Sequence, residues 1–181
     1  MSLMVKPKPS RAKRKTLNLA LQGGGSHGAF TWGVLDRLLE EDCFDFDGIV
    51  GTSAGAMNAA ALAYGLKVGG PEKARECLNR YWDLMMKTAA FAPWPSMIDR
   101  MIGDGNMKYS PVFAMGDALT RVVSPYQLNP MGFNPIQPTI EHVVDFDALR
   151  ALKDSGPKLF LCATNVMNGR VRVFSGDELS V

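Results

Sequence analysis

The stretch Thr16–Gln22, TLNLALQ, alternates Leu17, Leu19 and Leu21 with other residues and then runs into three consecutive glycines, Gly23, Gly24 and Gly25. Period-two alternation belongs to a strand, and a glycine run ends it in a tight loop. Directly after the loop, Ala29, Trp32, Gly33, Leu35, Leu38 and Leu39 recur close to helical spacing, with Asp36, Arg37, Glu40 and Glu41 on the other side. That pattern predicts an amphipathic helix of about 14 residues, a usual length in globular proteins. Phe46–Val50, bounded by Asp47-Gly48 and Gly51, reads as a short buried strand, and the alanine-rich Ala54–Tyr64 starts a helix immediately afterwards. Strand, helix, strand and helix in this order make a βαβ unit, which is parallel with a right-handed crossover in nearly all cases. The loops that follow the two strands therefore open at the same sheet edge. Gly25 and Ser53 are expected side by side although they are far apart in the chain.

Further along, Pro71–Lys87 reads as a helix with proline at its start, and Ala92–Tyr109 is broken into turns by Pro93, Pro95, Gly103 and Gly105. Pro111–Val123 reads as another helix. Ser124–Pro138, with Pro125, Pro130, Pro135 and Pro138, is expected to be a long surface connection. Asp147–Lys153 predicts a short helix stopped by Gly156-Pro157. Lys158–Ala163 and Arg170–Phe174 predict two strands joined through Asn168-Gly169, a hairpin turn signal.

A chain of 181 residues suffices for one domain with a real core, and 46% hydrophobic with 21% charged residues excludes wholesale disorder or a fibrous repeat. The net charge of +2 is uneven, because Lys6, Lys8, Arg11, Lys13, Arg14 and Lys15 crowd the start between Pro7 and Pro9. Residues 1–15 are read as a basic, solvated leader, with Met1-Ser2-Leu3 ahead of Met4 as an added beginning, and residues 16–181 as the folded domain. A basic tail can meet anionic lipid headgroups, but the leader reading is favoured and no nucleic-acid partner is expected. No apolar run follows the charges as in a signal peptide, and the longest apolar stretch, Ala54–Ala63, is interrupted by Asn58 and falls short of the roughly 20 residues of a membrane span. Cys43, Cys77 and Cys162 are widely spaced without a C-x-x-C pair, which suggests neither a disulfide framework nor a zinc site. A cytoplasmic location, peripheral to membranes at most, is the expectation.

Two motifs carry chemistry. Gly51-Thr52-Ser53-Ala54-Gly55 is a G-x-S-x-G sequence between a predicted strand and a predicted helix, the setting of a nucleophile elbow. A serine N-cap in an ordinary tight turn is the competing reading. Gly23-Gly24-Gly25-Ser26-His27-Gly28 matches G-x-G-x-x-G, which in a dinucleotide site needs an acidic residue at the end of the second strand. Asp45 and Asp47 lie at that strand's beginning instead. The other use of such a loop is an oxyanion hole, in which backbone N–H groups converge on a developing negative charge.

Together QGGGSHGAFTWGVL (Gln22–Leu35), GTSAGAMNAA (Gly51–Ala60) and the later ATNVMNGR (Ala163–Arg170) resemble the patatin-like phospholipase family. The resemblance implies a three-layer α/β/α fold with a largely parallel central sheet and the cleavage of lipid acyl esters by a Ser–Asp dyad. It implies Ser53 as nucleophile, with Gly23, Gly24, Gly25 and Ser26 at the oxyanion hole and Gly28, Gly51 and Gly55 as motif glycines. The family's loop commonly carries Arg where this chain has His27. A dyad also suits the histidines, since a Ser-His-Asp triad needs a histidine downstream of the elbow and His142 alone lies there. The family's Asp-Gly motif follows the ATNV-like strand, so the partner Asp is expected beyond Val181; Asp104-Gly105 reads as a turn. No metal and no cofactor is implied. Met85, Met86, Phe91, Trp94, Met97 and Met101 form either an apolar lid, in transient contact with a membrane surface, or part of the core. A nucleotide-binding module using Gly23–Gly28, and a catalytically silent regulatory or interaction domain, are the alternative functions.

Overall fold

The computed structural model describes residues 14–90, 118, 134, 136–165 and 167–180. The chain divides into two compact units, Met1–Trp82 with Thr139–Val181, and Asp83–Pro138. The first is an α/β unit built on a four-stranded sheet in the order β1-β2-β3-β4. β1 (Lys15–Leu21) pairs in parallel with β2 (Phe44–Thr52), and β2 in parallel with β3 (Lys158–Thr164). β4 (Val171–Ser175) closes an antiparallel hairpin on β3. The sheet is thus mixed and mostly parallel, as expected from the strand and helix order.

β1 begins one residue before the predicted start, at Lys15, because Arg14 is already anchored. Its guanidinium donates to the Asp42 and Asp45 carboxylates, each at 2.8 Å, and to the carbonyls of Asp42 and Phe44. β2 is longer than the predicted Phe46–Val50. The Asp47-Gly48 pair, read as a strand boundary, lies inside it, and the register steps from Leu17↔Phe46 to Asn18↔Gly48. Asp47 is therefore the extra residue of a bulge, which absorbs the turn-forming pair without ending the strand.

α1 (Gly28–Glu41) buries Leu35 and Leu39, and ends where Asp42 takes a left-handed conformation with φ 47° and donates its N–H to Leu39 O. α2 (Ala54–Ala90) breaks at Gly70, φ 74°, and resumes at Pro71, which needs no N–H partner in a first turn. Before the break Ala59, Ala60, Ala61, Leu62 and Ala63 are all buried, so small side chains let this half sit inside the unit. The two halves meet closely where Gly65 faces the Ala74 backbone. α1 and α2 are joined by the Arg75–Asp36 ion pair at 2.8 Å and by the stacked rings of Trp32 and Trp82, 6.3 Å apart.

α3 (Ile136–Glu141) starts within the segment expected to be a surface connection. Pro138 is accommodated because it falls in the first turn of a helix, where its missing donor removes no bond. α4 (Phe146–Ala151) is capped by the Asp145 carboxylate, which accepts from Ala148 N at 2.9 Å. Lys67 of α2 donates to the carbonyls of Leu152 and Ser155 at the end of this segment, and the partial burial this entails lowers its pKa. The β3–β4 connection turns at Asn168-Gly169 as expected, with Gly169 N–H donating to Asn165 O at 2.8 Å. A short 3₁₀ turn, Gly176–Glu178, follows β4. Its Asp177 pairs with Lys153, and Arg150 donates to Leu179 O.

In the second unit, Asp83 pairs with Lys87 one turn along α2 and Asn134 accepts from Ile136 N. The predicted turns of Ala92–Tyr109, Asp104, and Phe91, Trp94, Met97 and Met101 lie outside the described residues. So does the predicted helix Pro111–Val123, except Ala118, which is helical. Among the described residues, no helix is long and apolar enough to cross a membrane.

Candidate active site

β1 and β2 run parallel and end at the same edge, with Leu21 opposite Gly51. The chain leaves β1 through Gln22 and Gly23 into the glycine loop, and leaves β2 through Thr52 into Ser53 and the first turn of α2. The two motifs are in contact. A Cβ placed on Gly23 would stand 2.8 Å from Ser53 Cβ, 3.1 Å from Thr52 O and 3.5 Å from Ser53 Oγ. Only a residue without a side chain lets the loop come this near.

Ser53 has φ 51°, in the left-handed region that costs a non-glycine residue about 1–3 kcal/mol. Its carbonyl accepts from Ala56 N at 2.8 Å and Met57 N at 3.2 Å, so the strained residue is also the one from which α2 springs. The hydroxyl is exposed at the positive end of this helix. Gly55 holds the turn down: a Cβ there would lie 2.1 Å from Leu21 O and 2.7 Å from Gln22 O. The elbow is thus wedged against the end of β1, and an alanine at this position has no room.

In the loop, Gly24 and Gly25 have φ 151° and 57°, and a 3₁₀ turn covers Gly25–His27. His27 N–H donates to Gly24 O at 3.1 Å and Gly28 N–H bonds back into the turn. The amides of Gly25 and Ser26 stand at the turn's N-terminal end, where helical geometry provides no acceptor. Gly24 to His27 are exposed and Gly28 is buried. The His27 ring folds back on its own loop, with Nδ1 3.0 Å from Gly24 O. His142 lies just past α3, exposed.

Ser53 opens into a cleft of about 560 Å³ walled by Ala56 and Met57 of α2, Leu161 and Ala163 of β3, Phe174 of β4, and Leu179. Cys162, opposite Thr52 in the β2–β3 register, and Glu178 also line it. Glu178 is engaged by Arg172 at 3.1 Å, and the Arg172 guanidinium lies 4.6 Å over the Phe174 ring. Leu161, Phe174 and Leu179 were not among the site residues read from the sequence, because they lie more than a hundred residues downstream of the elbow. Asn58 was also missed. It is fully buried, donates to Gly28 O at 3.0 Å and accepts from Trp82 Nε1 at 2.9 Å. Its signal was present as the lone amide in an alanine-rich run.

A strained serine at a strand-to-helix turn, faced by a glycine loop from the neighbouring strand, thus marks this edge of an α/β sheet. The end of β2, where a dinucleotide site would hold a carboxylate, is occupied by Thr52 and Ser53. Residues 19–155 match the patatin-like phospholipase family, and the chain belongs to it. This is a family of lipid acyl hydrolases. The "Uncharacterized protein YjjU" of Escherichia coli (strain K12) is 41% identical over 63 residues, which cover 35% of this chain and 16% of that relative's length. No solved structure matches the chain.

Proposed function

We propose that this protein hydrolyses acyl esters of lipids through a covalent acyl-Ser53 intermediate. The observation that carries the reading is the close packing of Gly23 on Ser53, where an added Cβ would stand 2.8 Å from Ser53 Cβ, so that a glycine loop lies beside an exposed serine with a strained backbone. Ser53 Oγ attacks the ester carbonyl carbon as its proton passes to a carboxylate, and the carbonyl π electrons move onto oxygen. The amides of Gly24, Gly25 and Ser26 hold this oxyanion, with Gly23 setting the loop's approach; such a donor is worth about 10²–10³ in rate. Collapse breaks the bond to the alcohol, which leaves with the proton, and water then releases the fatty acid from Ser53.

The base in this reading is the aspartate of a Ser–Asp dyad, as the family resemblance implies. Glu178, a carboxylate that lines the cleft, is already engaged by Arg172. The apolar walls of the cleft suit an acyl chain. Phe30, 80% exposed two residues after Gly28, offers apolar surface beside the site for contact with lipid.

The test is labelling of the full-length protein with a fluorophosphonate, compared with Ser53→Ala. Labelling that disappears in the variant supports the reading; a folded protein without Ser53-dependent labelling refutes it.

A further inference from the structure

We propose that Asn58 is a positioning residue that fixes the glycine loop against Ser53; this rests on the hydrolase reading of the site. The loop has two anchors. At its start Gly23 is held by packing on Thr52 and Ser53. At its end Gly28 is buried, and a Cβ there would meet Ala54 Cβ at 2.9 Å and the Trp82 ring at 3.0 Å. Between the anchors Gly24 to His27 are exposed, so the amide directions depend on how firmly the ends are set.

Asn58 supplies the polar part of the second anchor. Its Nδ2–H donates to Gly28 O and its Oδ1 accepts from Trp82 Nε1. The side chain is fully excluded from solvent, where an unpaired amide is unfavourable, so both bonds are held in one geometry. Asn58 lies on the helix that springs from Ser53, and Ala54 and Asn58 share a helix face at a spacing of four. Trp82 is in turn stacked on Trp32 of α1 and meets Tyr81 edge-on at 5.5 Å. One amide therefore ties three things together: the helix carrying the hydroxyl, the residue where the loop becomes α1, and the paired indoles that hold α1 to α2. Asn58 touches no reacting atom. Its effect is on the distance and direction of the loop amides.

Two variants of the full-length protein separate this role from general stability. Asn58→Leu keeps the size and removes both bonds, and Trp82→Phe keeps an aromatic ring and removes the donor that orients the amide. Asn58→Leu is expected to lower kcat on a soluble ester, and the rate of fluorophosphonate labelling, about 10- to 100-fold, as a misplacement approaching 1 Å does. KM should stay within about threefold, because ground-state binding in the cleft is untouched. Trp82→Phe should lose less, in the same parameter. Hydrogen exchange of peptides covering Gly23–Gly28 should accelerate in both variants while Ala59–Ala63 stays protected. If Asn58→Leu does not fold, Trp82→Phe decides.

Wild-type kcat and unchanged loop exchange in the folded variants overturn the proposal. If labelling depends on Ser53 but is equally fast in both variants, the positioning role falls and the hydrolase reading stands. If wild type shows no Ser53-dependent labelling, the hydrolase reading falls and the proposal, which rests on it, falls too.

Discussion

Replacing Gly23 by alanine probes the distance between loop and elbow directly. The new methyl group would lie 2.8 Å from Ser53 Cβ and 3.1 Å from Thr52 O, whereas ordinary contact begins at 3.4 Å. The pair must open by about 0.6 Å, the difference between 3.4 and 2.8 Å. The elbow cannot give, since it is wedged on Leu21 O through Gly55, so the exposed loop lifts instead and carries its amides away. A hydrogen bond of ordinary length lengthened by this amount is outside bonding range. Loss of one such donor lowers kcat about 10²–10³-fold, or about 2.7–4 kcal/mol. The cost in folding is smaller, about 1–3 kcal/mol for an overpacked site. Turnover of a soluble nitrophenyl ester and fluorophosphonate labelling, read beside thermal unfolding, measure both quantities. A Gly23→Ala protein that keeps its fold and works within twofold of wild type would refute the assignment of this loop. Gly55→Ala should behave differently, because its methyl would strike the Leu21 and Gln22 carbonyls, and failure to fold is the expected outcome.

Arg14→Ala removes two carboxylate contacts and two carbonyl contacts from a side chain only 16% exposed. Because Asp45 is largely exposed, the expected loss is toward the low end of the charged-bond range, about 1–2 kcal/mol, with Arg14→Lys recovering little of it. Chemical denaturation at low salt measures it, and an unchanged midpoint would contradict the role given to Arg14. Burial pushes the Tyr81 phenol up from 10 to about 12. An unfolded Tyr81 ionises first as pH rises, so the unfolded state binds fewer protons and stability falls between pH 10 and about 12. Two pH units at 1.36 kcal/mol each give about 2.7 kcal/mol, absent in Tyr81→Phe. An identical alkaline slope in Tyr81→Phe denaturation curves would show that the phenol is not its source.

The βαβ start was readable because each of its signals is local: the leucine alternation of β1, the α1 stripe, and glycine turns after both strands. Its consequence, two loops meeting at one edge, follows from handedness alone. What the sequence concealed lies in non-local contacts. Leu161, Phe174 and Leu179 look like ordinary apolar residues until strand order places them across from Ser53. Asn58 looks like an interruption until Gly28 and Trp82 arrive from either side. Pro138 carries a breaker signal, yet in a first turn a missing donor removes nothing. The Met and aromatic segment from Phe91 to Met101, and Asp104, lie outside the described residues.

The misread Asp47-Gly48 pair explains how the elbow keeps its orientation. In β1 the covered positions are Leu17, Leu19 and Leu21, all odd. In β2 the residues paired with Lys15 and these leucines are Phe44 and Phe46, then Ile49 and Gly51, so the phase changes from even to odd in mid-strand. A one-residue slip turns every side chain to the other face. The bulge at Asp47 supplies that one residue, letting Phe44, Phe46, Ile49 and Gly51 all take the face of the leucines. Deleting Asp47 should then regularise the strand and leave both pairings intact, with labelling of Ser53 within a fewfold of wild type. Deleting Val50 instead, after the bulge, puts Gly51 where a larger residue's neighbours were and turns Ser53 off the cleft. Its expected result is an insoluble or unlabelled protein. Equal damage from the two deletions, read by labelling and by circular dichroism, would mean that the bulge itself, rather than the phase it restores, is what the fold requires.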